Sequence, residues 1–172
     1  MTIQIHALLA LLLVSELTGP ALAQTSLSQS LPIAARVALS GQVIELEVAR
    51  TEQQQQIGLM GRQNLPANRG MVFLFDSPRF TRFWMGYCFI PLDMIFIRKG
   101  RIVEFAQSAQ PCPTGENCPQ YPPKGVLADQ VLELKAGQVQ ALKLKINDPI
   151  SFKFFSAEAP LPLSQQRDPG LK

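Results

Sequence analysis

Three side chains capable of chemistry crowd into one apolar block. Residues 83–97 read FWMGYCFIPLDMIFI and hold Trp84, Cys88 and Asp93. Trp84 offers a flat wall and an indole N–H that needs a partner when buried; as a plain core residue it would simply fill space. Cys88 reacts only as a thiolate, and a lone cysteine in an aromatic run reads first as a small buried hydrophobe. Asp93 opens an apolar strand just after Pro91, where a carboxylate must be paired, hydrogen-bonded or reached by water. It either fixes a loop by accepting backbone or arginine hydrogen bonds, or anchors a polar ligand. Arg62 follows Gly58-Leu-Met-Gly and carries a rigid fork that suits a carboxylate or phosphate. Its plainer use is an internal salt bridge to Glu47, Asp76 or Asp93. The candidate ligand-binding residues are Trp84, Asp93, Arg62 and Glu47, and no residue is assigned a catalytic role.

Other chemistries find less support. Glu45, Glu47, Asp76, Asp93, Glu104 and Asp129 supply carboxylates, but paired-acid hydrolysis needs two of them facing across about 5–9.5 Å, which spacing in sequence does not set. His6 is the only histidine, which disfavours histidine-based triads and zinc sites once it is removed. The glycines before Arg62 do not form a Gly-x-Gly-x-x-Gly nucleotide loop. Met60, Met71, Met85 and Met94 are spaced as core residues, without the clustering a soft metal would need. No cofactor and no metal site is expected. Cys112 and Cys118 flank PTGEN in a loop with no apolar residue to pack it. A disulfide there would contribute about 2–3 kcal/mol by closing the chain; metal binding by the two thiolates would need further ligands.

These residues are read within an exported chain. Residues 7–14 are a continuous apolar run, followed by Ala21-Leu22-Ala23, an export signal with cleavage before Gln24. The run is far shorter than the roughly 18 residues of a spanning helix, so no transmembrane segment is expected in the mature chain. Removal of residues 1–23 takes away His6 and Glu16, and the formal charge of +3 becomes +4. The lysines and arginines are scattered, without the basic block that nucleic acid would call for. The expected organisation is a signal peptide at 1–23, a flexible leader at 24–35, one domain at 36–156 and a flexible tail at 157–172. A periplasmic or extracellular location follows, where a disulfide persists.

The elements that must position the candidates are mostly strands. Arg36–Ser40 and Gln42–Ala49 flank Gly41 as a hairpin, with Ile44, Leu46 and Val48 alternating against Glu45 and Glu47. Thr51 is an N-cap for a short helix through Gln56, ended by Gly58 or Gly61. Met71–Phe75 and Phe80–Met85 read as two strands around an Asp76-Ser-Pro-Arg turn. Asp93–Arg98 and Arg101–Ala106 form a second hairpin about Lys99-Gly100. A Pro-rich loop covers 110–125, Val131–Leu134 is a strand, 137–144 is a weak helix, and Ile150–Phe155 closes the domain. Many short strands predict a mainly β fold: a single-domain β-sandwich or barrel-like fold with one or two short helices.

The ordered pieces Glu47-Val-Ala-Arg-Thr, Gln56-Ile-Gly-Leu-Met-Gly-Arg, Gly70-Met-Val-Phe-Leu-Phe, the block at 83–97, Val131-Leu-Glu-Leu, Gly137 and Asn147-Asp148 resemble the DUF192 family, small prokaryotic domains of uncharacterised function, often exported. The resemblance implies a compact β domain with a short helix between early strands. The family usually has lysine, asparagine and threonine where this chain has Gly86, Tyr87 and Cys88. The expected function is a small-ligand or protein-binding accessory module of the cell envelope. The alternative is a small extracytoplasmic enzyme using a carboxylate pair or Cys88.

Overall fold

The computed structural model describes residues 27–155. The stretches read from sequence as an export signal, 1–23, and as a tail, 157–172, lie outside the described residues. Of the stretch read as a leader, the described part lies along the domain: the Gln29 amide donates to Gln54 O and Gly58 O.

The chain forms β1 (Ile33–Leu39), β2 (Gln42–Ala49), α1 (Glu52–Ile57), β3 (Arg69–Trp84), β4 (Leu92–Arg98), β5 (Arg101–Ala109), β6 (Gln120–Lys135), α2 (Gln138–Ala141) and β7 (Phe152–Phe154). The mainly β character and the two short helices are as the sequence predicts. The sandwich or barrel is not. All seven strands lie in one sheet, in the order β5-β4-β6-β3-β2-β1-β7, with β5 and β7 as its edges. The start of β5 meets the 147–150 segment ahead of β7 through a bridge between Arg101 and Pro149 and three backbone hydrogen bonds, but no ladder joins β5 to β7. The physical reason is strand length. Met71–Phe75 and Phe80–Trp84 belong to one sixteen-residue strand, which stops one residue short of Met85, and the Asp76-Ser-Pro stretch is absorbed as a register shift against β6 rather than a turn. With β6 equally long, fewer and longer strands pair into a single sheet.

Burial on both faces of that sheet explains the apolar block. Along β4, Leu92, Met94 and Phe96 enter one core, and Ile95 and Ile97 enter another. A central strand covered on both sides reads as a continuous hydrophobic run. The core that takes Ile95 and Ile97, the first, collects β1, β2 and the segment carrying Val139, Leu142 and Ile150. The second lies under α1 and the turns that hold Leu59, Leu65, Met85 and Cys88. β2 and β3 are parallel, which requires a crossover between them, and α1 is part of that crossover. It thereby sits above the second core, beside the outer half of β3.

Candidate functional site

The outer half of β3 and α1 enclose a cleft of about 350 Å³. α1 is fixed there by its own ends. Gln54 N–H donates to Thr51 Oγ1 and Thr51 N–H donates to Gln54 Oε1, a reciprocal capping box. Gly58 ends the helix at φ 49°, where a Cβ would stand 3.2 Å from the Phe73 ring. The Gln55 amide then ties helix to strand by donating to Leu74 O at 2.7 Å. Gln55 Oε1 accepts from Arg79, whose guanidinium also lies 3.9 Å from the Phe75 ring centre. Arg82 lines the same cleft, its guanidinium making no hydrogen bond or ion pair with a described residue, and Glu52 stands on the helix side.

Trp84 forms the cleft wall and is 41% exposed. Its six-membered ring rests on Gly86, so closely that a Cβ there would be 2.5 Å from it. The Trp84 edge meets Tyr87 at 6.2 Å between ring centres. Tyr87 lies in turn against Gly115, inside the loop closed by the Cys112–Cys118 disulfide. Tyr87 N–H donates to Cys112 O, and Tyr87 O accepts from Gly61 N–H, both at 2.9 Å. The disulfide loop thus braces the tyrosine that braces the tryptophan.

A smaller recess of about 40 Å³ adjoins the cleft, and Gln55, Gln56, Phe83 and Trp84 line both spaces. Cys88 and Glu133 also line the recess. Glu133 is only 4% exposed and lies between Met71 and Met94 in the sheet, and its carboxyl makes no hydrogen bond or ion pair with a described residue. Burial pushes its carboxyl from 4.5 up to about 8, so the acid is mostly protonated at neutral pH. Burial, and then the nearby Glu133, push the Cys88 thiol up to about 12. That thiol is inert near pH 7, because the thiolate is the nucleophile.

Comparison with known proteins places this geometry in a family. Residues 35–152 match DUF192, described as "Uncharacterized ACR". The chain belongs to the DUF192 family. No curated protein matches it. Two crystal structures are similar. One, a protein of unknown function from Novosphingobium aromaticivorans DSM 12444, is 32% identical with a TM-score of 0.58, covering 69% of this chain and 83% of its own. The other, from Sinorhizobium meliloti 1021 and described as a candidate transcription regulator, is 31% identical with a TM-score of 0.57, covering 69% and 91%.

This DUF192 domain distributes the candidates of the sequence over three places. Trp84 walls the cleft. Glu47 and Arg62 meet as a pair at 2.7 and 2.9 Å, beside a separate surface hollow. Both have further partners: Arg62 donates to Gln29 O, and Glu47 accepts from Leu31 N–H. Asp93 is fully buried on the other face of the sheet. It accepts from Ser108 N–H at 2.7 Å and from Val139 N–H at 2.8 Å, tying β4 to β5 and to the start of α2. The buried carboxyl that sequence reasoning passed over is Glu133. In Val131-Leu-Glu-Leu it looks like the solvent face of an alternating strand. The signal was in its neighbour: a strand as apolar as β4 must lie centrally, so the strands beside it are covered too. In this chain Gly86 seats Trp84, Tyr87 props it and Cys88 lines the recess.

Proposed function

We propose that this DUF192 domain is a small-ligand binding module that works outside the cytoplasm, with the cleft between α1 and β3 as its site. The observation that carries the reading is Trp84. A large aromatic ring, seated on a glycine and left 41% exposed, walls a cleft that also presents Arg82 without an internal partner. Binding sites combine apolar walls with a few placed polar groups. An aromatic face beside a planar guanidinium suits a flat ligand bearing an anionic group. The export-signal pattern at 1–23 and the Cys112–Cys118 disulfide favour an oxidising compartment.

Glu47, Arg62 and Asp93 act in this reading as scaffold, because each already spends its hydrogen-bonding capacity on the chain. The enzymatic alternative gains nothing from the geometry: the Cys88 thiol is held protonated, and no second carboxylate lines the recess with Glu133. The regulator description of the Sinorhizobium relative is not carried over, since the positive charges here are scattered along a chain of net charge +3.

Trp84 is the only tryptophan in the chain, so its emission reports on the cleft alone. Titration with benzoate, a flat anion, should give a saturable change with a dissociation constant on the order of millimolar. Arg82→Ala should weaken it several-fold. Absence of any saturable change for benzoate and for larger aromatic acids would rule this reading out.

A further inference from the structure

The recess adjoining the cleft contains a group that the reading above leaves unused. Glu133 projects into it from the middle of the sheet, 4% exposed, with no partner among the described residues. Its oxygens are not sealed among protein atoms but face the recess, where water or a ligand group would complete their hydrogen bonds. We propose that this recess is a subsite for a primary carboxamide, which pairs with the Glu133 carboxyl through two hydrogen bonds, so that the preferred ligand carries an amide at its deep end. This inference rests on the cleft being the ligand site.

Three features select the amide. The first is size: about 40 Å³ is room for roughly three water-sized groups, and a carboxamide has three heavy atoms. The second is charge. The recess is lined from α1 by Gln55, Gln56 and Ile57, from the following turn by Met60, from β3 by Phe83 and Trp84, and by Cys88. Only Cys88 among these titrates, and no cation is present to hold a ligand anion. The third is complementarity. Glu133 is mostly an uncharged acid at neutral pH because burial raises its pKa to about 8, so it presents one O–H donor and one carbonyl acceptor. An amide offers the matching acceptor and donor. An ammonium group would have to ionise Glu133 and pass Arg79 and Arg82 at the mouth.

The experiment compares benzamide with benzoate by Trp84 emission, at pH 6 and pH 9.5, in the wild type, E133Q and E133L. Benzamide should bind at least about tenfold more tightly at pH 6 than at pH 9.5, where the ionised carboxyl has no proton to donate. E133Q keeps a donor and an acceptor and should bind benzamide equally at both pH values. E133L should lose about tenfold at pH 6 while remaining folded. Benzoate, held at the mouth by Arg82, should change less than about twofold in E133L. Benzamide binding that ignores pH, or that survives E133L, overturns the subsite. If benzoate still binds in that case, the cleft reading stands alone; if neither probe binds, both fall.

Discussion

Gly86 shows how much of the site hangs on one missing side chain. A methyl group there would stand 2.5–2.7 Å from three ring atoms of Trp84, closer than carbon atoms tolerate. The ring is 41% exposed, with solvent on one side to move into, so Gly86→Ala should cost only about 1 kcal/mol in stability. It should nevertheless move the tryptophan. The expected outcome is a red-shifted Trp84 emission and loss of benzoate binding, with a urea midpoint close to that of the wild type. Unchanged emission in Gly86→Ala would mean that the ring does not depend on its glycine seat. At this scale the sequence is legible where a residue's needs are local. Cys112 and Cys118 announce a bridge by their spacing and by the polar loop between them. The Arg62–Glu47 pair is one of three partnerships the sequence allows Arg62, and Asp93, which the sequence leaves as either a loop-fixing acceptor or a ligand anchor, accepts two backbone hydrogen bonds. Glu133 was not legible, because whether a glutamate in an alternating strand meets water or a core depends on what covers that face.

Elements came through in the same graded way. The first hairpin, the Thr51-capped helix and the Lys99-Gly100 hairpin rest on neighbouring residues, and the structure contains all three. Asp76-Ser-Pro-Arg carried every local mark of a turn. It remains in β3 because β6 pairs with the strand on both sides of it, at Leu74 and again from Arg79; tertiary pairing overrides local preference. The outer half of β3, which bears Trp84, is therefore held partly by the disulfide loop: Gly86 bridges Cys112, and Tyr87 bonds to Cys112 O. Replacing both cysteines by serine should remove about 2–3 kcal/mol of chain-closure stabilisation. It should also loosen the Tyr87 prop. Hydrogen exchange should quicken at Tyr87 N–H and Gly61 N–H while Asp93-bonded Ser108 N–H and Val139 N–H, across the sheet, keep their protection. Equal loss of protection at all four amides would contradict a local bracing role.

For the whole molecule, alternation and turns set the strands, but the order and closure of a sheet depend on pairings far apart in sequence. A sandwich, a barrel and one curved open sheet share the same local pattern, and only the length of β3 and β6 decides among them here. That single sheet leaves Glu133 at its centre, under one of the two cores, so its ionisation should be felt by the entire fold. An unfolded carboxyl titrates near 4.5 and the folded one near 8. Between those values the folded chain keeps a proton that the unfolded chain has released. Raising the pH through this window therefore favours unfolding. Stability should fall between about pH 4.5 and pH 8, by an amount on the order of a few kcal/mol, then level off. The other shifted groups among the described residues act elsewhere. Glu45, held below the ordinary carboxylate range by its hydrogen bond from Arg36, matters only below pH 4.5. Cys88, raised from 9.0 to about 12, matters only above pH 9. Urea denaturation at pH 5, 6, 7 and 8 should thus give steadily falling midpoints in the wild type and a much flatter series in E133Q and E133L. E133L should also be the more stable protein at pH 8, because an apolar side chain replaces a buried charge without a partner. A protein that is stabilised by losing a side chain, and loses benzamide binding with it, keeps that side chain for the ligand rather than for the fold. Identical pH slopes in wild type and both variants would show instead that water reaches Glu133 freely in the folded state.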